Sequence, residues 1–290
     1  MTTSPDAGDL QGLAEEIQRL FALGASAPRD EARAAFIRLR EALSAGVVRA
    51  ASPDPASPTG WVVNTWVKQG ILVGFRASEI ADCSIDHGRV SYTDKDLLPL
   101  KRIEPSSGVR LVPGGSAIRD GAYIGRGVIC MPPMYVNLGA YVDEGSLIDS
   151  HALVGSCAQI GKRVHVSAGA QIGGVLEPVG ALPVIVEDDA LVGGNTGIYE
   201  GAVIRSRAVI GAGTVLTGST PVYDLPNGRV IRPDEGQPLV VPEGAVVVPG
   251  ARSVTQGQGP AWGLSLATPV IVKYRDQKTD TRTGLESWIR

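Results

Sequence analysis

The chain has 290 residues, 43% hydrophobic but only 5% aromatic, with 37 glycines; it can bury a core, and that core must be filled by small and branched side chains instead of rings. A formal net charge of −3, with no run of Lys or Arg, gives a nucleic-acid or anionic-membrane partner no electrostatic support and leaves small-molecule chemistry. No stretch has the length and apolarity to cross a bilayer, residues 1–9 lack a signal-like start, and Cys83, Cys130 and Cys157 show no CxxC spacing, so a cytoplasmic protein with reduced thiols is expected.

Over residues 10–45, apolar residues recur at helical spacing: Leu13, Ile17 and Leu20, then Ala35, Ile37, Leu39 and Leu43. This predicts two helices, separated by residues 24–28, the second ending at Gly46 in a left-handed cap. Residues 52–58 are rich in Pro and Ser and read as a loop, and residues 61–75 form a mixed apolar segment without a clean period. Residues 1–105 are therefore expected to form a small α-rich N-terminal domain.

A different period then sets in. Counting by sixes from Val112 meets Ile118, Ile124, Cys130, Val136, Val142, Ile148, Val154, Ile160, Val166 and Ile172, every one apolar. After an offset the count resumes at Val186, Val192, Ile198, Ile204, Ile210, Leu216 and Val222, and again at Val241 and Val247. Four residues after most anchors stands a small side chain, such as Ala122, Ala140, Ser146, Ala152, Ala170 or Thr196, with Met134 and Leu176 as exceptions. Such hexads build the sides of a triangular parallel β coil, the anchor filling the axis and the small residue fitting the corner. The expected fold is mainly β, a left-handed parallel β-helix over residues 106–255, its handedness taken from likeness to the hexapeptide-repeat class. Loops interrupt it at 173–185 and 223–240, and residues 256–290 add a short C-terminal strand and a final helical turn at 285–288. The N-terminal domain caps one end.

Hexads by themselves imply a scaffold, not an activity. The run Met131-Pro132-Pro133-Met134-Tyr135-Val136-Asn137-Leu138-Gly139-Ala140-Tyr141, continuing through Asp149, Val154-Gly155-Ser156-Cys157 and Ile172-Gly173-Gly174-Val175-Leu176-Glu177-Pro178, closely resembles the tetrahydrodipicolinate N-succinyltransferases of diaminopimelate and lysine synthesis. The likeness extends to Trp61, Trp66 and Phe75-Arg76, and to Val270-Ile271-Val272-Lys273. It implies succinyl-CoA as co-substrate, a ring-opened amino-oxo-diacid as acceptor, no metal, and a homotrimer with active sites between neighbouring coils. It implies direct attack of the amine on the thioester.

Asp149 follows the inward Ile148 and so points outward, with Ser167 eighteen residues later stacked above it. It matches the family aspartate that holds the substrate amine and helps remove its proton, which attack requires because an ammonium has no lone pair. Arg110 matches the family arginine whose guanidinium fork engages a substrate carboxylate. The catalytic glutamate that some members place forty-eight residues after the aspartate falls here on Gly197; by the hexad count Gly197 lies near Asp149, and Glu200 is the candidate substitute, reading equally as a surface acid. Lys273 is the candidate partner of coenzyme A phosphates, or a solubilising charge. His87, His151 and His165 share no metal-ligand spacing and read as outward polar residues, and Cys157 reads as a packing thiol. Two alternatives stay open: a related acyltransferase using acetyl-CoA or another amino-diacid, and a non-catalytic β-helix that binds a partner.

Overall fold

The computed structural model describes residues 7–233 and 236–276. Three helices open the chain: α1 (Ala7–Leu23), α2 (Arg29–Ser44) and α3 (Thr65–Ala77). Leu13, Ile17 and Leu20 of α1 bury their shared stripe against Phe36 and Leu39 of α2 and Val67 and Ile71 of α3. Beyond α2, Gly46 takes φ 74°, its N–H bonding Leu43 O while Val47 N–H reaches back to Ala42 O. That pair is the Schellman arrangement expected for a glycine just past a helix. α3 lies in the segment that showed no clean period, because part of its contact face is glycine. A side chain at Gly70 or Gly74 would collide with Leu39 or Phe36, so two of its core positions carry no apolar side chain to count.

From Arg110 onward, two-residue strands alternate with four-residue corners and stack into three parallel sheets, which wind as a left-handed β-helix. The second residue of each strand points to the axis: Ile124, Val136, Ile148, Val154, Ile160 and their successors form one buried column after another. The small corner residues are buried as well, and the polar ones are satisfied there. Ser146 Oγ donates to Gly161 O at 2.8 Å and Thr214 Oγ1 to Gly211 O at 2.7 Å, as buried hydroxyls must. Successive windings pair eighteen residues apart, as in Ile148 with Val166.

The hexad count departs from the structure in two places, at Val112 and Val222, and agrees with it at the offset before Val186. In the lowest winding Leu111, not Val112, pairs with Cys130, a slip of one residue that exchanges which side chains face out. Ile160 pairs with Val186, so the excursion after Ile172 takes eight residues beyond the regular eighteen. Val222 does not continue the coil; it belongs to strand Val222–Asp224, which pairs with Arg229–Ile231 and with the C-terminal strand. The coil ends near Val247, where Ala245–Ser253 runs out and pairs antiparallel with Ser265–Tyr274. The helical turn expected at 285–288 lies outside the described residues.

The N-terminal region is laid against one of the three sheets. Ala51 and Trp61 pack on Ile185 and Val203, and the Arg49 guanidinium lies 3.7 Å from the centre of the Tyr141 ring, itself stacked on Tyr123. The corner leaving this sheet alternates in charge from winding to winding: Arg126, then Asp143 and Glu144, then Lys162 and Arg163, then Glu187, Asp188 and Asp189, then Arg205 and Arg207, then Glu243. Lys162 meets Glu144 at 3.2 Å, Arg163 meets Asp189 at 2.7 Å, and Arg205 meets Glu187 at 2.7 Å.

Candidate active face of the coil

A second sheet holds strands Arg110–Leu111, Ile129–Cys130, Leu147–Ile148, His165–Val166, Leu191–Val192, Val209–Ile210, Ala245–Ser253 and Ser265–Tyr274 in spatial order. Four of the five residues singled out from the sequence lie on it. Arg110 occupies the lowest rung, exposed, in the outward column of Ile129, Leu147 and His165. The one-residue slip puts it there; in regular register that position would stack under Val128, at the buried corner. Asp149 leaves the sheet at its corner, two rungs or about 10 Å above Arg110. Its backbone N–H bonds Val166 O, which seats it directly below Ser167. Its carboxylate Oδ1 accepts the Ser150 N–H at 2.7 Å, and the side chain is half-buried.

Above Ser167 the same column continues as Gly193 and then Gly211, since Ser167 N–H bonds Val192 O and Gly193 N–H bonds Ile210 O. Both glycines are required by packing: a Cβ at Gly193 would stand 2.6 Å from Ala212 N, and one at Gly211 would stand 2.9 Å from Val247 O. A side-chain-free strip therefore climbs from the Asp149–Ser167 pair towards the upper edge of the sheet. Lys273 sits at that edge, opposite Val246 and four rungs, about 19 Å, above the Ser167 rung. Its ammonium pairs with Asp276 at 3.1 Å on the surface.

Glu200 and Gly197 are placed elsewhere. Gly197 pairs with Gln171 and Val215 on the third sheet, not beside Asp149 as the hexad count had it. The anchor Val192 does share the Asp149 sheet, but the chain turns the corner before reaching Gly197. A side chain at Gly197 would strike the ring of Tyr199, which lies over it. Glu200 is one corner further round, exposed, with Oε2 accepting the Gly218 N–H at 2.9 Å. A single chain thus brings Arg110, Asp149 and Ser167 onto one sheet and leaves Glu200 apart from them.

Of the histidines, His165 faces outward on the Ser167 rung, His151 sits in the turn after Asp149 with φ 61°, and His87 lies outside the coil. Cys130 and Cys157 are buried, and burial pushes both thiols up to about 12, which keeps them un-ionised and inert as nucleophiles. The Glu187 node went unnoticed in the sequence. Its carboxylate takes Trp61 Nε1, Arg205 Nη1 and the Ser206 N–H, tying the N-terminal region to the coil. Arg205 stands eighteen residues after Glu187, and that spacing was the available signal.

A profile described as tetrahydrodipicolinate N-succinyltransferase N-terminal matches residues 12–77, and one described as hexapeptide repeat of succinyl-transferase matches residues 183–218. A 2,3,4,5-tetrahydropyridine-2,6-dicarboxylate N-succinyltransferase of Nitrobacter hamburgensis is 39% identical over 272 residues, 91% of this chain and 92% of its own length. The chain belongs to the tetrahydrodipicolinate N-succinyltransferase family. Relatives of the same name from Aromatoleum aromaticum, 42% identical over 97% of this chain and 98% of their own, and from Idiomarina loihiensis, 37% identical over 97% of each, span helices, coil and C-terminal hairpin alike. The family likeness therefore covers the Arg110-to-Lys273 sheet as a whole.

Proposed function

We propose that this chain transfers the succinyl group of succinyl-CoA to the amine of ring-opened tetrahydrodipicolinate, in diaminopimelate and lysine synthesis, as a cytoplasmic homotrimer with its active sites between neighbouring coils. The observation that carries the reading is the outward column Asp149–Ser167–Gly193–Gly211 on the sheet that also bears Arg110 and Lys273.

The substrate amine arrives protonated, and the Asp149 carboxylate holds it as an ion pair and accepts a proton, freeing the lone pair. The amine nitrogen then attacks the thioester carbon, and the C–S bond breaks as the amide forms. The thiolate leaves and takes up a proton, so the products are the N-succinyl compound and coenzyme A. Ser167, directly above Asp149, offers its hydroxyl to the acceptor. Arg110 meets a carboxylate of the diacid from two rungs below. The glycine strip gives the extended arm of coenzyme A an unobstructed track, and Lys273 stands at its upper end to meet phosphate. Glu200, turned to Gly218 on another corner, is left out of this scheme, and Asp149 is its one protein base.

The test is thiol release by the purified protein. Coenzyme A is expected from succinyl-CoA only when tetrahydrodipicolinate is present, and equal or faster turnover with acetyl-CoA would overturn the succinyl assignment.

A further inference from the structure

Away from the Asp149 sheet, a cavity of about 410 Å³ opens between the N-terminal region and the coil. Its walls come from five stretches of the chain: residues 57–63, residues 180–182 of the excursion, the coil corners at Glu200 and at Gly218, and residues 236–238. Trp61, Val63 and Leu182 supply apolar surface, and Ser57 and Thr59 supply hydroxyls, their oxygens 3.1 Å apart. Among the described residues, Glu200 is the one charged side chain in the lining.

Two features show that the cavity is held open in a defined shape. The first is Lys68, a fully buried side chain of α3 whose ammonium donates to Ala181 O at 2.5 Å. Burying an ammonium against a carbonyl, with no carboxylate partner among the described residues, is costly. Here it fixes the Ala181–Leu182 wall to the helical domain. The second is Glu200 itself. Where Glu144, Glu187 and Asp189 each pair with a cation one winding away, Glu200 is held by the Gly218 N–H alone among the described residues, its position fixed and its charge uncompensated. A fixed carboxylate beside an indole and aliphatic walls is complementary to a cation on a compact apolar body.

We propose that this cavity is a second ligand site, separate from the acyl-transfer face, which takes a small organic ammonium ion with Glu200 as its counter-ion and Trp61 and Leu182 as the walls around its apolar part. The site does not depend on the succinyl-transfer reading.

Calorimetric titration of the full-length protein with benzylammonium and with benzyl alcohol, the same body without the charge, tests it. Benzylammonium is expected to bind once per chain and the alcohol at least tenfold more weakly. Glu200→Gln, which keeps an acceptor for the Gly218 N–H, is expected to weaken the ammonium roughly ten- to hundredfold with an unchanged melting temperature. Gly180→Trp places an indole where a Cβ meets nothing within 4 Å; it is expected to block the cavity while succinyl transfer continues at the unmodified rate. Equal affinity for amine and alcohol, survival of ammonium binding in either variant, or displacement of the ammonium by succinyl-CoA would each overturn the proposal. Loss of succinyl transfer in the unmodified protein would count against the proposed function alone.

Discussion

Replacing Asp149 with Asn removes the proposed base and little else. The Asn side-chain oxygen can still accept the Ser150 N–H that Asp149 Oδ1 takes at 2.7 Å, and Asp149 forms no ion pair among the described residues, so stability should change by less than about 0.5 kcal/mol. The rate should respond far more. General-base assistance is worth about 10² to 10⁴, and the column offers no deputy: below Asp149 stands Met131, above it Ser167, Gly193 and Gly211. A loss near the upper end, about 10⁴-fold or ~5 kcal/mol of transition-state stabilisation, is therefore expected in kcat/KM. What remains should depend on amine that is already deprotonated. An alkyl ammonium titrates near the lysine value of about 10.4, so the residual rate should rise roughly tenfold per pH unit between pH 7 and 9, where the unmodified enzyme is flatter. Following coenzyme A release with a thiol reagent across that range reads both effects. A variant that keeps its activity, or loses it without steepening in pH, would refute the assignment of Asp149 as base.

Arg110→Met keeps the aliphatic stem of an exposed residue and removes its fork; KM for the diacid should rise ten- to hundredfold with KM for succinyl-CoA nearly unchanged, as steady-state kinetics in each substrate will show. Lys68 has its pKa lowered chiefly by burial. Its folded state therefore binds fewer protons than its unfolded state, and its stability contribution is greatest above the unfolded value near 10.5 and is lost as pH falls toward the folded pKa. Melting temperatures should show that this contribution to the pH slope disappears in Lys68→Met, while limited proteolysis detects loosening of residues 173–183.

The coil was legible because every hexad answers the same local demand, an apolar residue at the axis and a small one at the corner, so the period survives any single exception such as Met134. What the count could not foresee is where the chain changes register. The slip at Leu111 follows Pro105 and Gly108, and nothing in a six-residue period announces it, yet it decides that Arg110 faces out. The position of Gly197 was misjudged for a related reason: the sheet was assigned from the anchor Val192, but five residues later the chain has already rounded a corner. α3 escaped notice because glycines, invisible to a hydrophobic period, carry two of its closest contacts. Asp149 and Ser167 were correctly stacked because their spacing of eighteen crosses no interruption.

The alternation of charge up one corner bears on how the coil is wound. Backbone pairing between identical two-residue strands is nearly indifferent to which winding lies on which, and a wide excursion such as the one after Ile172 offers the growing coil a chance to skip one. Skipping a single winding would lay Glu187 and Asp189 over Asp143 and Glu144, or Arg205 and Arg207 over Lys162 and Arg163, setting like charges face to face along the corner. Each correct pair contributes modestly at an exposed site, but a misplaced winding turns several attractions into repulsions together. The corner thus acts as a proofreader of assembly, penalising a miscount that the hydrophobic axis would accept.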